Sequence, residues 1–367
     1  MMQLHVNSRR WPERTVSGKR RTLCKHAKDF EETEVKQWDE FISCHERRTI
    51  YHRLEWGRLI ERVFGHKTHY WMQIDEYGEL AGVLPLVEIR SKLFGTYQIS
   101  LPFFNYGGAL GTDPDIERDL MEQAWVRASQ QGVGHIEFRD SISRDADLPC
   151  RKDKVAMLRE LPSDGDRLWS ELGGKVRSQV RRPMREGAQF VCGGGERIDD
   201  FYRVFSRNMR DLGTPVYPKR FFAEILQNFA ERAGIGVVYI ARKPVAAGIL
   251  LFDGNTMEIP WASSLREYNR LGVNMLLYWN ALSEAIEKGA KSFDFGRSTY
   301  QSGTYRFKRQ WGASAKQLHW SYALPEDGEL PDLTPQNRRF KYAIALWKRL
   351  PLSVANRLGP GIVKNLP

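Results

Sequence analysis

The chain has 367 residues, 41% hydrophobic and 28% charged, a soluble globular composition too long for one ordinary core, so two domains are expected. Cysteines 24, 44, 150 and 192 form no CxxC pair and have no histidine at metal spacing, which argues against a zinc site or a disulfide framework, and neither a signal-peptide core nor a run of ~18 apolar residues is present. The net charge of +11 sits at the ends: residues 1–28 hold eight Lys/Arg and one Glu, residues 333–367 hold seven Lys/Arg and no acid, and 29–332 therefore sum to 11 − 14 = −3, which disfavours a basic stripe for long nucleic acid and favours solvated tails or tails that meet an anionic surface.

In chain order, residues 1–28 read as a basic disordered leader. Val35, Trp38, Phe41 and Ile42, then Leu54, Leu59, Ile60 and Phe64, have helical spacing. Strands are expected over 68–74 and 80–89, on either side of the turn signal Asp75-Glu-Tyr-Gly78, and over 97–102. A helix over 114–131 and a strand over 135–139 close the first half. The second half follows a similar order, with strand 155–161, helices 166–172, 174–184, 198–212 and 219–233, a meander of strands at 235–242, 245–252 and 256–262, helix 272–288, and strands 291–295 and 317–322 that close the sheet. No strand–GxGxxG–helix unit occurs, so a dinucleotide fold is disfavoured. The economical reading is two similar α+β halves.

Four constellations could carry chemistry. Taken as extended, 304–311 puts Tyr305, Phe307, Arg309 and Trp311 on one face, and Thr304, Arg306, Lys308 and Gln310 on the other. A fixed Lys308 ammonium there suits an oxyanion or a phosphate; a solvated edge strand guarded by charge is the competing reading. In Gly173–Arg185, Val176, Val180 and Met184 repeat every four residues, beside a ridge of Arg177, Arg181 and Arg185. Guanidinia at that spacing, with the free N–H groups of Gly173-Gly174, suit a pyrophosphate or an RNA backbone, though bare charge runs are more often solvated. In Pro102-Phe-Phe-Asn-Tyr-Gly-Gly108, Asn105 and Tyr106 could order a substrate, or simply pack a turn. In Asn208–Tyr217, Asp211 could act as a general base, or pair with Arg210 or Arg207 at a helix end. The histidines show no spacing for a nucleophilic triad.

Six segments, in order over roughly residues 35–325, resemble the FemAB family of peptidyl- and aminoacyltransferases: Tyr51-His-Arg-Leu-Glu-Trp56, Leu101-Pro-Phe-Phe-Asn-Tyr-Gly-Gly108, Lys175-Val-Arg-Ser-Gln-Val-Arg181, Asn208-Met-Arg-Asp-Leu-Gly-Thr-Pro215, Phe293-Asp-Phe-Gly-Arg-Ser298 and Gly303-Thr-Tyr-Arg-Phe-Lys-Arg-Gln-Trp-Gly312. They look most like the branch with a BioF2-like acetyltransferase domain that accompanies exosortase (XrtA)/PEP-CTERM exopolysaccharide systems. The resemblance implies an α+β chain of two tandem GNAT-like domains (the acyl-CoA N-acyltransferase fold) with mixed, mostly antiparallel sheets. It implies domains at 29–150 and 151–325 and a site in a channel between the domains, centred on the second; outside the resemblance, 326–367 reads as a basic amphipathic tail.

The same resemblance implies transfer of an acyl or aminoacyl group to an amine, with no metal and no bound cofactor. The donor would be an acyl-coenzyme A or an aminoacyl-tRNA. The missing helical-hairpin arm speaks against tRNA, and a nucleic acid enters only if tRNA is the donor. The acceptor would be an amino sugar or amine on a lipid- or nucleotide-linked glycan precursor. The resemblance puts Phe307-Lys308 at the reacting centre; no residue is a compelling base, and Asp211 and Asp294 are the weak candidates read from the residues themselves. Arg297, Arg177, Arg181 and Lys175 would meet phosphate, and Tyr305, Tyr106, Asn105 and Trp311 would line the acceptor. The expected location is the cytoplasm, with peripheral contact at the inner face of the membrane through the segment Arg338-Arg-Phe-Lys-Tyr-Ala-Ile-Ala-Leu-Trp-Lys-Arg349. The rival class is a non-catalytic glycan- or RNA-binding scaffold of an export machine.

Overall fold

The computed structural model describes residues 20–92, 94–144, 148–331 and 338–366. The leader expected over 1–28 lies outside the described residues as far as residue 19, as does 332–337 of the tail. The elements in order are β1 (Arg21–Lys25), α1 (Glu32–Cys44), α2 (Leu54–Phe64), β2 (Lys67–Ile74), β3 (Leu80–Ser91), β4 (Gly95–Ile99), β5 (Leu110–Gly111), α3 (Pro114–Gln130), β6 (Ile136–Asp140) and β7 (Cys150–Arg151). Next come β8 (Lys154–Glu160), α4 (Gly165–Glu171), α5 (Gly174–Arg185), β9 (Gln189–Gly193), α6 (Ile198–Leu212), α7 (Lys219–Asn228), β10 (Ala233–Ile240), β11 (Lys243–Phe252), β12 (Thr256–Ser264), α8 (Val273–Glu287), β13 (Ser292–Thr299), α9 (Gly303–Arg309) and β14 (Ser314–Gln317). The chain ends with β15 (His319–Ala323), α10 (Arg338–Trp347) and α11 (Leu352–Val363). No helix among the described residues is long and apolar enough to cross a membrane.

Two compact units result. Among the described residues, the first holds those within 20–152 and 318–331, the second those within 153–317 and 338–366. The first unit's sheet runs β1-β2-β3-β4-β6-β15-β7, with β5 on β3; the second's runs β14-β8-β13-β12-β11-β10-β9. The pairs are antiparallel except β4–β6 and β12–β13. The fold is therefore α+β with mixed, mostly antiparallel sheets, as the sequence implied.

Three expectations need correction. Arg21–Lys25, assigned to the disordered leader, is a strand that pairs with Tyr70–Ile74. The strand read at 317–322 does not close the second sheet: β15 pairs with β6 from His319↔Asp140 to Ala323↔Ile136, in the first. Its side chains explain the choice, because Tyr322 donates to buried Glu137 and the Arg139 guanidinium lies 4.3 Å over the Trp320 ring. The segment 304–311 is helical rather than extended. Ser302 caps it by accepting from Tyr305 N–H, and the pattern Thr304, Phe307, Lys308, Trp311 is a helix face (i, i+3, i+4, i+7) that the alternation count overlooked.

Local chemistry accounts for the first unit. Asp75 accepts from the N–H groups of Tyr77 and Glu79 and closes the β2–β3 hairpin at the predicted turn. Asp113 caps α3 and Pro114 occupies its first position. A buried polar layer sits beneath the Gly108 loop. Arg144 donates to both oxygens of Asp140, at 2.7 and 2.8 Å, and to Glu117 and the Ala109 carbonyl. Gly108 must lack a side chain there, since a Cβ would lie 1.9 Å from Asp140 Oδ1. On β3, Glu88 accepts from His69 and from Arg90. The His69 hydrogen bond outweighs burial, and with Arg90 it holds the Glu88 carboxyl at about 2. A depressed carboxyl stabilises the folded state above its unfolded pKa, and that stabilisation drains away as pH falls from about 4.5 towards 2. Glu88→Gln should flatten the acid limb of the unfolding profile in that window. An unchanged limb would show the pair contributes nothing.

Candidate functional site

The site is built on β13. Phe293 and Phe295 turn into the core of the second unit, where Phe295 stacks on Tyr278 of α8 at 5.6 Å. Asp294 and Gly296 alternate to the other side. Asp294 Oδ1 accepts from Gly296 N–H at 2.7 Å, and Gly296 takes φ = 75°, a backbone state that side-chain-bearing residues rarely adopt. This bend shifts the register against β8 between Asp294 and Arg297. It aims two consecutive carbonyls at one point: Lys308 Nζ donates to Gly296 O at 3.0 Å and to Arg297 O at 2.8 Å.

Lys308 is 7% exposed. Burial lowers its pKa to about 8 against the opposing pull of Asp294 and Glu258, while Arg297 adds to the lowering. Glu258 is buried on β12, in register with Asp294 on the neighbouring strand. A lysine and two carboxylates thus share one dry region, and the Lys308 ammonium is held in place by its contacts at 3.0 and 2.8 Å. Helix α9 delivers it: Phe307 packs edge-on against Tyr278 and Trp311 is fully buried, which fixes the helix face that carries Lys308. The expectation of Lys308 beside Arg306 on a solvated face is corrected, since Arg306 is exposed and Lys308 buried.

Around Lys308 the sheet opens. β12 and β13 pair in parallel only from Thr256↔Ser292 to Glu258↔Asp294. Beyond that rung β12 keeps β11, through Trp261↔Ile249 to Ser264↔Ala246, and β13 keeps β8, through Arg297↔Ala156 to Thr299↔Lys154. Each strand retains its outer neighbour and loses its inner one. The inner edges are a template for an extended ligand with amide groups.

A cavity of about 220 Å³ lies on the same unit, lined by Gln179 and Arg182 of α5, Asn269–Gly272, Asn274 and Met275 at the start of α8, and Phe307 and Gln310. No side chain caps α8, and Gly272, Asn274 and Met275 set its N-terminal end, the positive end of its dipole, against the cavity, a setting suited to phosphate. Gly272 has φ = 82°, and a Cβ there would meet the Gln179 carbonyl at 3.1 Å. Glycine is what lets α5 approach the start of α8 so closely.

The structure brings together only part of the expected set. Lys308, Phe307, Asp294 and Arg297 converge at the β13 bend. Arg181 stacks on Trp169 at 5.0 Å instead of entering the cavity, and Lys175 is exposed; Arg177 is half-buried and is not among the cavity residues. Tyr305 packs on Tyr300 at 5.0 Å. Asp211 pairs with Arg210 at 2.7 Å at the end of α6, the helix-end arrangement, and is not at the bend. Trp311 is core, not a binding surface. Asn105 and Tyr106 belong to the first unit, where both are buried and Tyr106 stacks near Tyr51. Sequence reading missed Glu258, Arg182, Asn274 and Gly272. A glycine immediately before the apolar helix at 273–287 was the available signal for the last two.

Residues 174–309 match the family model described as Acetyltransferase (GNAT) domain. The match begins at the first residue of α5 and ends at the last residue of α9, so it contains the β13 bend and all of the cavity lining except Gln310. No curated protein matches the sequence. Among solved structures, FemX is similar at 14% identity with a TM-score of 0.61, over 78% of this chain and 95% of that one. L-PGS from Bacillus licheniformis is similar at 12% identity with a TM-score of 0.52, over 87% and 98%. A tandem GNAT protein from the clavulanic acid biosynthesis pathway is similar at 11% identity with a TM-score of 0.50, over 85% and 100%. At such identities the likeness is one of fold, and the fold is GNAT-like.

Proposed function

We propose that this protein is an N-acyltransferase that moves an acyl or aminoacyl group onto the amine of a glycan or other cell-envelope precursor, in the FemAB-like branch that accompanies PEP-CTERM sorting. The observation that carries the reading is the seating of Lys308: two of its three N–H donors are taken by backbone carbonyls, and the third is left for a ligand. In the proposed step the acceptor amine attacks the donor carbonyl and its C=O electrons move onto oxygen. Lys308 holds that oxyanion from a site poor in water, where a single donor is worth most. The tetrahedral species collapses, the bond from carbon to the leaving group breaks, and the leaving thiolate or ribose oxygen takes the proton that the amine sheds. Asp294 has a positioning part, since it fixes the Gly296 bend that supplies one of the Lys308 acceptors.

A coenzyme A thioester is the favoured donor. The open edges of β12 and β13 suit its extended pantetheine amides, and the cavity at the start of α8, with Arg182 and Arg270, suits its pyrophosphate. A thermal-shift titration with acetyl-, longer acyl- and free coenzyme A tests this. Saturable stabilisation of about 2.7 kcal/mol at a hundredfold excess over Kd is expected. No shift with any of them overturns the thioester donor, and the next ligand to test is aminoacyl-tRNA.

A further inference from the structure

Helix α11 carries a buried stripe and, beside it, an exposed apolar one. Ala355, Gly359 and Val363 are buried, and Gly359 lies so close to the chain at Val216 that a Cβ would meet the Val216 nitrogen at 2.8 Å. On the flank next to it Val354, Leu358 and Ile362, spaced i, i+4, i+8, are 39%, 50% and 41% exposed. Large aliphatic side chains at strict helical spacing on an outward face are not the scattered surface apolar residues of an ordinary protein. Arg357 and Lys364, seven residues apart and both exposed, run along one border of this stripe. Helix α10, which is also docked on the end of α6 through Ile344 against Gly213, adds exposed Tyr342 and Leu346. From residue 333 to 367 the chain has seven Lys/Arg and no Asp or Glu.

We propose that the outward face of α11 is a docking surface for an anionic lipid bilayer, on which the helix lies flat with Val354, Leu358 and Ile362 in the headgroup–acyl boundary and Arg357 and Lys364 among the phosphates. The charge bias selects this occupant. A second protein copy would bring the same cations against themselves, whereas an anionic leaflet complements them. The sequence reading put membrane contact at 338–349; the present proposal centres it on α11. The inference stands apart from the transfer chemistry, because it uses no residue of the β13 bend or the cavity.

Flotation of the full chain with unilamellar vesicles tests it. The protein should float with mixed phosphatidylglycerol–phosphatidylcholine vesicles and stay behind with phosphatidylcholine alone, and high salt should weaken the first result. Leu358→Gln with Ile362→Gln leaves the charge and the buried face untouched. It should keep the melting temperature and lower partitioning about tenfold or more. Arg357→Gln with Lys364→Gln should lower it about fivefold per charge removed. The proposal is overturned if the wild-type chain ignores anionic vesicles, or if the Leu358/Ile362 variant floats as well as wild type. It is equally overturned if the stripe variant abolishes a concentration-dependent dimer while no vesicle binding is seen, since the face would then belong to a second copy.

Discussion

Lys308→Ala is expected to lower kcat by about 10²–10³, the usual effect of removing one oxyanion donor. Thiol release from whichever donor stabilises the protein gives the measurement. Donor binding should survive, because the cavity at the start of α8 is built from other residues, so the loss should fall on kcat more than on KM. The pH profile assigns the role. With Lys308 titrating at about 8, an ammonium that stabilises charge is present below that pH, and activity should fall as pH rises through it. Lys308→Arg keeps its charge throughout, so whatever activity it retains should lack that falling limb. A limb of opposite sign, with activity appearing as Lys308 loses its proton, would mean that the amine removes a proton from the acceptor and does not hold an oxyanion. Unchanged turnover in Lys308→Ala would remove the residue from the mechanism.

Arg144→Ala is the change expected to cost most in stability, about 3–5 kcal/mol. Burial works against the Arg144 charge, yet Asp140 and Glu117 outweigh it and push its pKa up. Deleting the guanidinium leaves two carboxylates in the interior, with side chains only 6% and 4% exposed, and takes away the donor to Ala109 O. Arg47, which also reaches Glu117, can compensate one of the two. Arg144→Lys should recover only a fraction, since one ammonium cannot span both oxygens of Asp140 and still reach Glu117. Urea unfolding followed by far-UV circular dichroism checks this. A midpoint within error of wild type would show that water or rearrangement satisfies the carboxylates.

The elements with a strong local period were legible in the sequence. Leu54, Leu59, Ile60 and Phe64 mark α2, Asp113-Pro114 marks the start of α3, and the Asp75–Gly78 turn marks the β2–β3 hairpin. What failed was non-local or short. β15 carries an ordinary strand pattern, and nothing in five residues says which of two sheets will take it; the decision rests on Glu137 and Arg139, about 180 residues earlier in the chain. Phe307, Lys308 and Trp311 fit both a two-residue and a 3.6-residue period over so short a run. The Ser302 cap, legible in principle, was the piece that resolved it. At the site, the Gly-Arg-Ser turn and Phe-Lys pair were visible, whereas Glu258 was not, because its contribution depends on lying across the sheet from Asp294.

Between β7 and β15 the whole of residues 153–317 is inserted, so the first sheet is finished only by a strand made much later. A ribosome adding about 5–20 residues per second leaves that gap for on the order of ten seconds. Throughout it, β6 offers a bare edge to every other nascent chain nearby, a standing invitation to pair wrongly. The strand is Ile-Glu-Phe-Arg-Asp, three charges in five residues, and each must shed water to enter a foreign ladder. Glu137 and Arg139 pair with each other and Asp140 with Arg144, and β15 completes the set when it brings the Tyr322 hydroxyl to Glu137 and the Trp320 ring under Arg139. The same side chains that make β6 a poor partner for strangers make it the right one for its own late strand.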